Sequence, residues 1–500
     1  MKRLYVLLLA ALLPLSVFCQ SKDFKLGKWT EIRAAVLREL DRCYVDSLPV
    51  DRMERAAIDA MLASLDPYTV YIPAEEDEDL QMMISKTYGG IGAIIYKPDK
   101  NGPVIINEPY EGSPAALGGL ECGDEILEID GETTSGLETK QASDRMKGVP
   151  DTRVVFKVRK VRTGEIRDIE IIRRQIHLPD IAWAGFVAPG VGYVSQSGFT
   201  VGVADSVRAE FVRLKEQGMQ KFVLDLRGNG GGLMDEAVKI VSIFVPKGSL
   251  VVSSRGKEAS HYAEYRTESE PEDVEIPVVV LVDGGSASAS EIVSGALQDL
   301  DRATIMGKRT FGKGLVQNIR PLPYGGKIKI TTAKYYTPSG RCVQAIDYSN
   351  RGEDGSVGYI PDSLTHEFRT AGGRTVRDGG GITPDVDIPV KKYSDITYDL
   401  VVKGVVEQYV LDFVCGHASI APADDYRFEG YEEFKAFALG KMPDKASEIE
   451  VLDPSEIVPF IEEEIVVRYY YQRAGEKVHI RYDEQLKEAL SSPLITDTVR

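Results

Sequence analysis

Five hundred residues, 43% of them apolar and 27% charged, are too many for one core, so the chain reads as a multidomain globular protein. A formal charge of −17 excludes a general binder of nucleic acid or anionic membrane, since both need clustered Lys and Arg. No stretch reaches the roughly 18 uninterrupted apolar residues of a membrane span, so no transmembrane segment is expected in the mature chain.

Residues 1–19 have the form of an export signal: Lys2 and Arg3, an apolar stretch from Leu4 to Leu15, and Val17-Phe18-Cys19 before Gln20. The expected location is therefore periplasmic or envelope-associated. A competing reading makes Cys19 a lipid-anchored cysteine; Phe18 argues against it, because that position ordinarily takes a small residue. Cys43, Cys122, Cys342 and Cys415 are scattered without a CxxC pair. They read as four buried or half-buried thiols, with one incidental disulfide left open. Five dispersed histidines lack the HExxH spacing, so neither metal nor cofactor is expected.

Residues 24–64 show helical periodicity through Trp29, Ile32, Val36 and Leu40, then Met53, Ala57 and Met61, until Asp66-Pro67 stops it. From Gly89 to Arg174 short β runs alternate with glycine turns, interrupted by helical patterns at Ser113-Pro114-Ala115 and over Leu137 to Met146. Between about 180 and 390 apolar strands lead through glycine turns into helices, as in Lys221 to Leu226 followed by Met234 to Val245. Val278 to Val282 followed by Ser288 to Leu300 repeats the pattern. That alternation predicts an α/β layer with a largely parallel sheet. Residues 391–500 are acidic and helical in pattern, with no chemistry assigned to them.

Three segments carry candidate chemistry. Ser288 follows the turn Asp283-Gly284-Gly285 and is flanked by Ala287 and Ala289, which leave room for a peptide carbonyl at a helix N-terminus. Ser288-Ala289-Ser290-Glu291 also matches a capping box, in which the serine merely caps the helix. Lys313 stands among Phe311, Gly312, Gly314, Leu315 and Val316; burial there lowers a lysine pKa and frees an amine to act as base. The bland alternative is a lysine reaching out of a hairpin. Asp225-Leu226-Arg227-Gly228-Asn229-Gly230-Gly231-Gly232 offers backbone N–H groups between a strand and a helix, suited to an oxyanion or, equally, to a tight turn.

These motifs resemble those of the carboxyl-terminal processing peptidase family (peptidase family S41), in the order Leu65-Asp66-Pro67, Asp225 to Gly232, Gly285 to Glu291, Thr310 to Gln317, Tyr335 to Arg341 and Gly381 to Asp385. The resemblance runs from about Tyr44 to Pro389 and includes a PDZ-like segment. It implies Ser288 as nucleophile, Lys313 as base, Gln317 holding that lysine, and an oxyanion hole of Gly231, Gly232 and Ala289 N–H groups. It also implies that the turn Gly90, Ile91, Gly92 and Ala93 receives a substrate carboxylate while the chain end adds as a strand. The implied activity is serine endoproteolysis of exported proteins gripped by their C-termini. The expected organisation is a signal at 1–19, a helical segment at 24–78, a PDZ domain at 79–176, a peptidase core at 177–390 and a helical region at 391–500.

The pattern departs from the family at Lys147-Gly148, where Arg-Gly is usual, and in an insertion over about Ala345 to Asp378. An adaptor or a second copy of the chain remain open as partners. The alternative function is a non-catalytic PDZ scaffold of the envelope; an intact Ser288 and Lys313 argue against it. A nucleotide site at Gly307 to Lys313 fails because Gly314 stands where Ser or Thr must hold magnesium. A histidine-based hydrolase lacks a partner, His261 lying in a polar loop.

Overall fold

The computed structural model describes residues 22–352 and 355–492, so the export signal and Cys19 lie outside the described residues. Two compact units divide at Ser64. The first holds the helices Lys22–Cys43 and Val50–Ala63, joined by an ion pair of Arg33 with Glu54. The second begins at Leu65 and runs on through several sheets.

An antiparallel sheet covers Ala93 to Ile172 in the spatial order Ala93–Tyr96, Val104–Pro109, Glu125–Ile129, Arg153–Arg159, Ile166–Ile172, with Glu132–Thr133 paired to the third strand. Its period-2 sequence is visible in Arg153–Arg159, where Val154, Phe156 and Val158 are fully buried and the charged residues point away. The helix Thr139–Met146 sends Ala142 and Met146 into the same core. Ala93–Tyr96 pairs on one side only among the described residues, leaving a free edge.

The central sheet orders its six strands Ile181–Ala188, Val191–Gln196, Lys221–Asp225, Val278–Val282, Thr304–Gly307 and Val386–Asp387. The first pair is antiparallel and every other pair parallel. The unbroken apolar run at Val278–Val282 follows from burial on both faces. Val278, Val280 and Val282 enter one core, while Val279 and Leu281 enter the other. Each such side chain contributes roughly 1.5–3 kcal/mol.

A third sheet was not foreseen. It is antiparallel, with Val70–Ile72, Lys327–Tyr336, Leu250–Gly256 and Tyr262–Arg266 in that order and Leu315–Pro321 paired to Lys327–Tyr336. Its long strand is mostly half-buried and carries three lysines, so no apolar run announces it. The insertion folds as two hairpins, Ile346–Arg351 with Val357–Tyr359 and Glu367–Arg369 with Thr375–Arg377. The C-terminal region is helical, from Asp395–Val402 to Pro454–Tyr482 and Glu484–Ser491, around a core of its own. No helix among the described residues is long and apolar enough to cross a membrane. The four thiols are free, and Cys43 and Cys415 are exposed rather than sheltered. Their helices present those positions to solvent, which corrects the expectation of four covered cysteines.

Candidate active site

Ser288 stands where the Val278–Val282 strand turns into the helix Ala289–Asp299, with φ 56° and ψ −111°. A non-glycine residue at positive φ costs about 1–3 kcal/mol and persists only where its surroundings hold it. Here the surroundings are explicit. Asp283 Oδ1 accepts from the N–H groups of Gly228 (2.9 Å) and Gly285 (2.9 Å). Ser286 Oγ donates to Leu226 O (2.7 Å), while Ala287 N–H and Ser290 Oγ both donate to Asn229 O (3.0 and 2.8 Å). Tyr335 Oη donates to the Ser288 carbonyl at 3.2 Å. The small residues around the serine therefore fasten its turn to the glycine loop.

Glu291 is the residue whose part sequence reasoning missed. It forms the expected capping arrangement, accepting Ser288 N–H at 2.9 Å through Oε2. It does more. The same oxygen accepts Lys313 N–H (2.8 Å), and Oε1 accepts Gly312 N–H (2.8 Å) and Thr310 Oγ1 (2.6 Å). One carboxyl group, wholly buried, thus joins the backbone of the serine to that of the lysine. Burial pushes its pKa up, against the pull of the four donors. An acid at the third helical position was the only available signal, and it reads equally as a cap.

The glycine loop packs on this turn. A Cβ on Gly231 (φ 97°) would lie 2.6 Å from Ala287 O, 2.8 Å from Ser288 Cβ and 2.9 Å from Ala289 N, so only glycine fits. Gly231 N–H is bound to Asn229 Oδ1 at 2.9 Å. Among the described residues, no acceptor takes the N–H groups of Gly232 and Ala289. Asn229 is itself fully buried, its amide donating to Gln196 O at 2.8 Å.

Lys313 is half-buried, and its Nζ lies 4.3 Å from the centroid of the Tyr68 ring. Burial pulls its pKa below the ordinary lysine range. The charge of Lys329 adds to that pull, and Glu291 and Asp66 oppose it. No hydrogen bond joins Nζ to Ser288 Oγ or to Gln317 among the described residues; Gln317 Nε2 donates instead to Thr331 Oγ1 at 3.2 Å. The chain around the lysine is braced: Phe311 N–H donates to Ser286 O (3.0 Å) and Gly314 N–H to Gln344 Oε1 (2.8 Å). The structure thus brings Ser288, Lys313 and the glycine loop to one place, with Gln317 on the strand that leaves it.

The residues expected to receive a chain terminus lie apart from this cluster, where the Thr87–Gly90 strand, paired with Arg174–His177, leads into the antiparallel sheet of Ala93 to Ile172. Gly90 ends the strand Thr87–Gly90, Ala93 begins the strand with the free edge, and Ile91 is buried between them. Gly92 takes φ 73°, and a Cβ there would meet Ser113 Cβ at 2.6 Å, so glycine is required on both counts. Where Lys147 replaces the usual arginine, its amine lies 5.8 Å from the Tyr88 ring. Arg173 closes the helix end instead, donating to Met146 O (3.1 Å) and Arg145 O (2.8 Å).

Sequence comparison bears on this arrangement. The profile of peptidase family S41 matches residues 190–349, and that of the PDZ domain matches residues 105–160. A carboxy-terminal-processing protease of Bartonella bacilliformis is 37% identical over 294 residues, covering 58% of this chain and 67% of that protein. A Staphylococcus aureus protein named a probable CtpA-like serine protease is 33% identical over 309 residues, 62% of this chain and 61% of its own length. Among solved structures, the photosystem II D1 C-terminal processing protease matches at 26% identity and a TM-score of 0.39, covering 72% of this chain and 86% of that one.

Proposed function

The chain belongs to peptidase family S41, as a serine-type, carboxy-terminal-processing peptidase with a PDZ domain, and on that footing we propose that Ser288 and Lys313 form its catalytic dyad. The observation that carries this reading is the Glu291 carboxyl, which holds the backbone of both residues while Ser288 sits in a strained strand-to-helix turn. In the proposed cycle neutral Lys313 Nζ moves off the Tyr68 ring and takes the Ser288 proton as Oγ attacks the scissile carbonyl. Ala289 N–H and Gly232 N–H receive the oxyanion. Lys313 then returns the proton to the leaving amine, and water, activated by the same amine, hydrolyses the acyl-enzyme. Gln317 steadies the lysine as it moves across the cleft.

The substrates in this reading are exported proteins whose C-termini add to the free edge of Ala93–Tyr96, the carboxylate meeting the Gly90 to Ala93 turn. Export through residues 1–19 places the enzyme in the envelope. The test is cleavage of an unfolded protein by the full chain and by Lys313→Ala. Loss of turnover with an unchanged circular dichroism spectrum is expected. Retained turnover would overturn the dyad. Deleting residues 89–174 should change substrate choice or basal rate, and identical cleavage products would refute C-terminal gripping.

A further inference from the structure

The Leu65-Asp66-Pro67 stretch, which the dyad does not use, brings Tyr68 against the base. Asp66, itself buried, accepts the N–H groups of Tyr68 (2.9 Å) and Thr69 (2.8 Å) and the Thr69 hydroxyl (3.1 Å), bracing the backbone turn that carries the ring. The inserted hairpin also touches the ring. Tyr348 meets it edge-on with centroids 6.0 Å apart, and the Tyr348 hydroxyl donates to the Tyr68 hydroxyl at 3.4 Å. Arg351 donates to Leu65 O at 3.1 Å. Lys313 Nζ lies on the ring face and has no hydrogen-bond acceptor among the described residues, so the aromatic face is its seat.

We propose that Tyr68 is a positioning residue for the proposed base: its ring holds the Lys313 ammonium away from Ser288 and releases the amine once it is neutral. This rests on the reading of Lys313 as base. The physical reason is that a ring quadrupole attracts a cation, by about 0.5–2 kcal/mol, but not a neutral amine. Loss of the proton therefore both creates the base and unseats it, and the seat is built partly from the inserted hairpin through Tyr348. The other charged or titratable groups facing the amine are Lys329 from the antiparallel sheet, Glu291 from the helix, and Asp66. The Tyr348 phenol stands edge-on to the ring, and the Cys342 thiol stands against Gly314. Lys329 disfavours the cation, whereas Asp66 and Glu291 favour it together with the ring.

The test is kcat/KM against pH for the full chain and for Tyr68→Phe and Tyr68→Leu, with an unfolded protein as substrate. Tyr68→Phe keeps the face of the ring and should keep the wild-type acid limb. Tyr68→Leu removes the ring, so the ammonium loses its partner and deprotonates more readily. On the acid flank this variant should exceed wild type by about 2- to 30-fold, relative to its own plateau. An acid limb shared by all three proteins would overturn the seat, as would equal displacement in both variants. A second measurement needs no folded variant at Tyr68. In wild-type protein labelled at lysine Cε, the resonance missing from Lys313→Arg should be ring-shifted at low pH and lose that shift on deprotonation. A Lys313 resonance without ring shift at any pH would overturn the seat. Turnover retained by Lys313→Ala would overturn the base assignment itself, whereas loss there with an unmoved limb in Tyr68→Leu overturns the seat alone.

Discussion

The two halves of the proposed dyad are held by different physics. Ser288 sits in a turn whose neighbours are stapled to the glycine loop through Ser286, Ala287 and Ser290, and its own N–H is taken by a buried carboxyl. Lys313 shares that carboxyl only through its backbone; its amine rests on a ring face with no hydrogen bond among the described residues. Directional bonds brace the turn of the proposed nucleophile and the loop of the proposed oxyanion donors, as electrostatic stabilisation of a tetrahedral intermediate requires. A non-directional cation–ring contact leaves the base able to move once it is neutral. The contrast places precision on one member of the proposed dyad and adjustability on the other.

The largest effect that would test this contrast lies on the fixed side. Ser288→Ala should lower turnover by about 10³-fold or more while leaving thermal stability within a few degrees, checked by steady-state cleavage and calorimetry. Next comes Gly231→Ala, whose Cβ would press on Ala287 O and Ser288 Cβ. We expect a loss of about 10²-fold or more in kcat with lowered stability. A variant of near wild-type activity would mean that the loop does not need its present approach.

Glu291→Gln ranks third. It places an amide N–H₂ against backbone donors, leaving buried groups unmatched at a cost of about 1–3 kcal/mol, read as a fall in Tm. On the adjustable side, Lys329→Ala removes a like charge facing Lys313, so the lysine pKa rises and the acid limb of kcat/KM moves to higher pH. The sign follows from the active form being the neutral amine, so activity at a fixed pH on that limb falls. A limb displaced downward would contradict the assignment. The smallest expected effect is that of a chelator, which should leave turnover unchanged.

The same contrast explains what the sequence made legible. Val278 to Val282 is a continuous apolar run because both faces are buried, and the helix after it announces itself by inward-facing Ile292, Val293, Ala296 and Leu297. The glycines up to 231 and 232 could be read as a loop of backbone N–H donors or a tight turn. The strained φ of Ser288 could not, because tertiary contacts impose it on a residue that would otherwise only cap. Glu291 hid behind the capping box for the same reason: a local motif accounts for its position without the bonds to residues 310–313. Tyr68 lies 245 positions before Lys313, and no spacing rule connects them. The sheet built around Lys327–Tyr336 escaped notice because a half-buried strand carrying Lys327, Lys329 and Lys334 lacks an apolar run. The inserted hairpins are similarly exposed and polar.

One measurement bears most directly on the account: cleavage of an unfolded protein by Lys313→Met, set beside Ser288→Ala, from about pH 6 to about pH 10. Methionine keeps the apolar stem and removes the amine, so turnover should fall to the Ser288→Ala level at every pH. Turnover within about tenfold of wild type anywhere in that range would show that another group takes the serine proton.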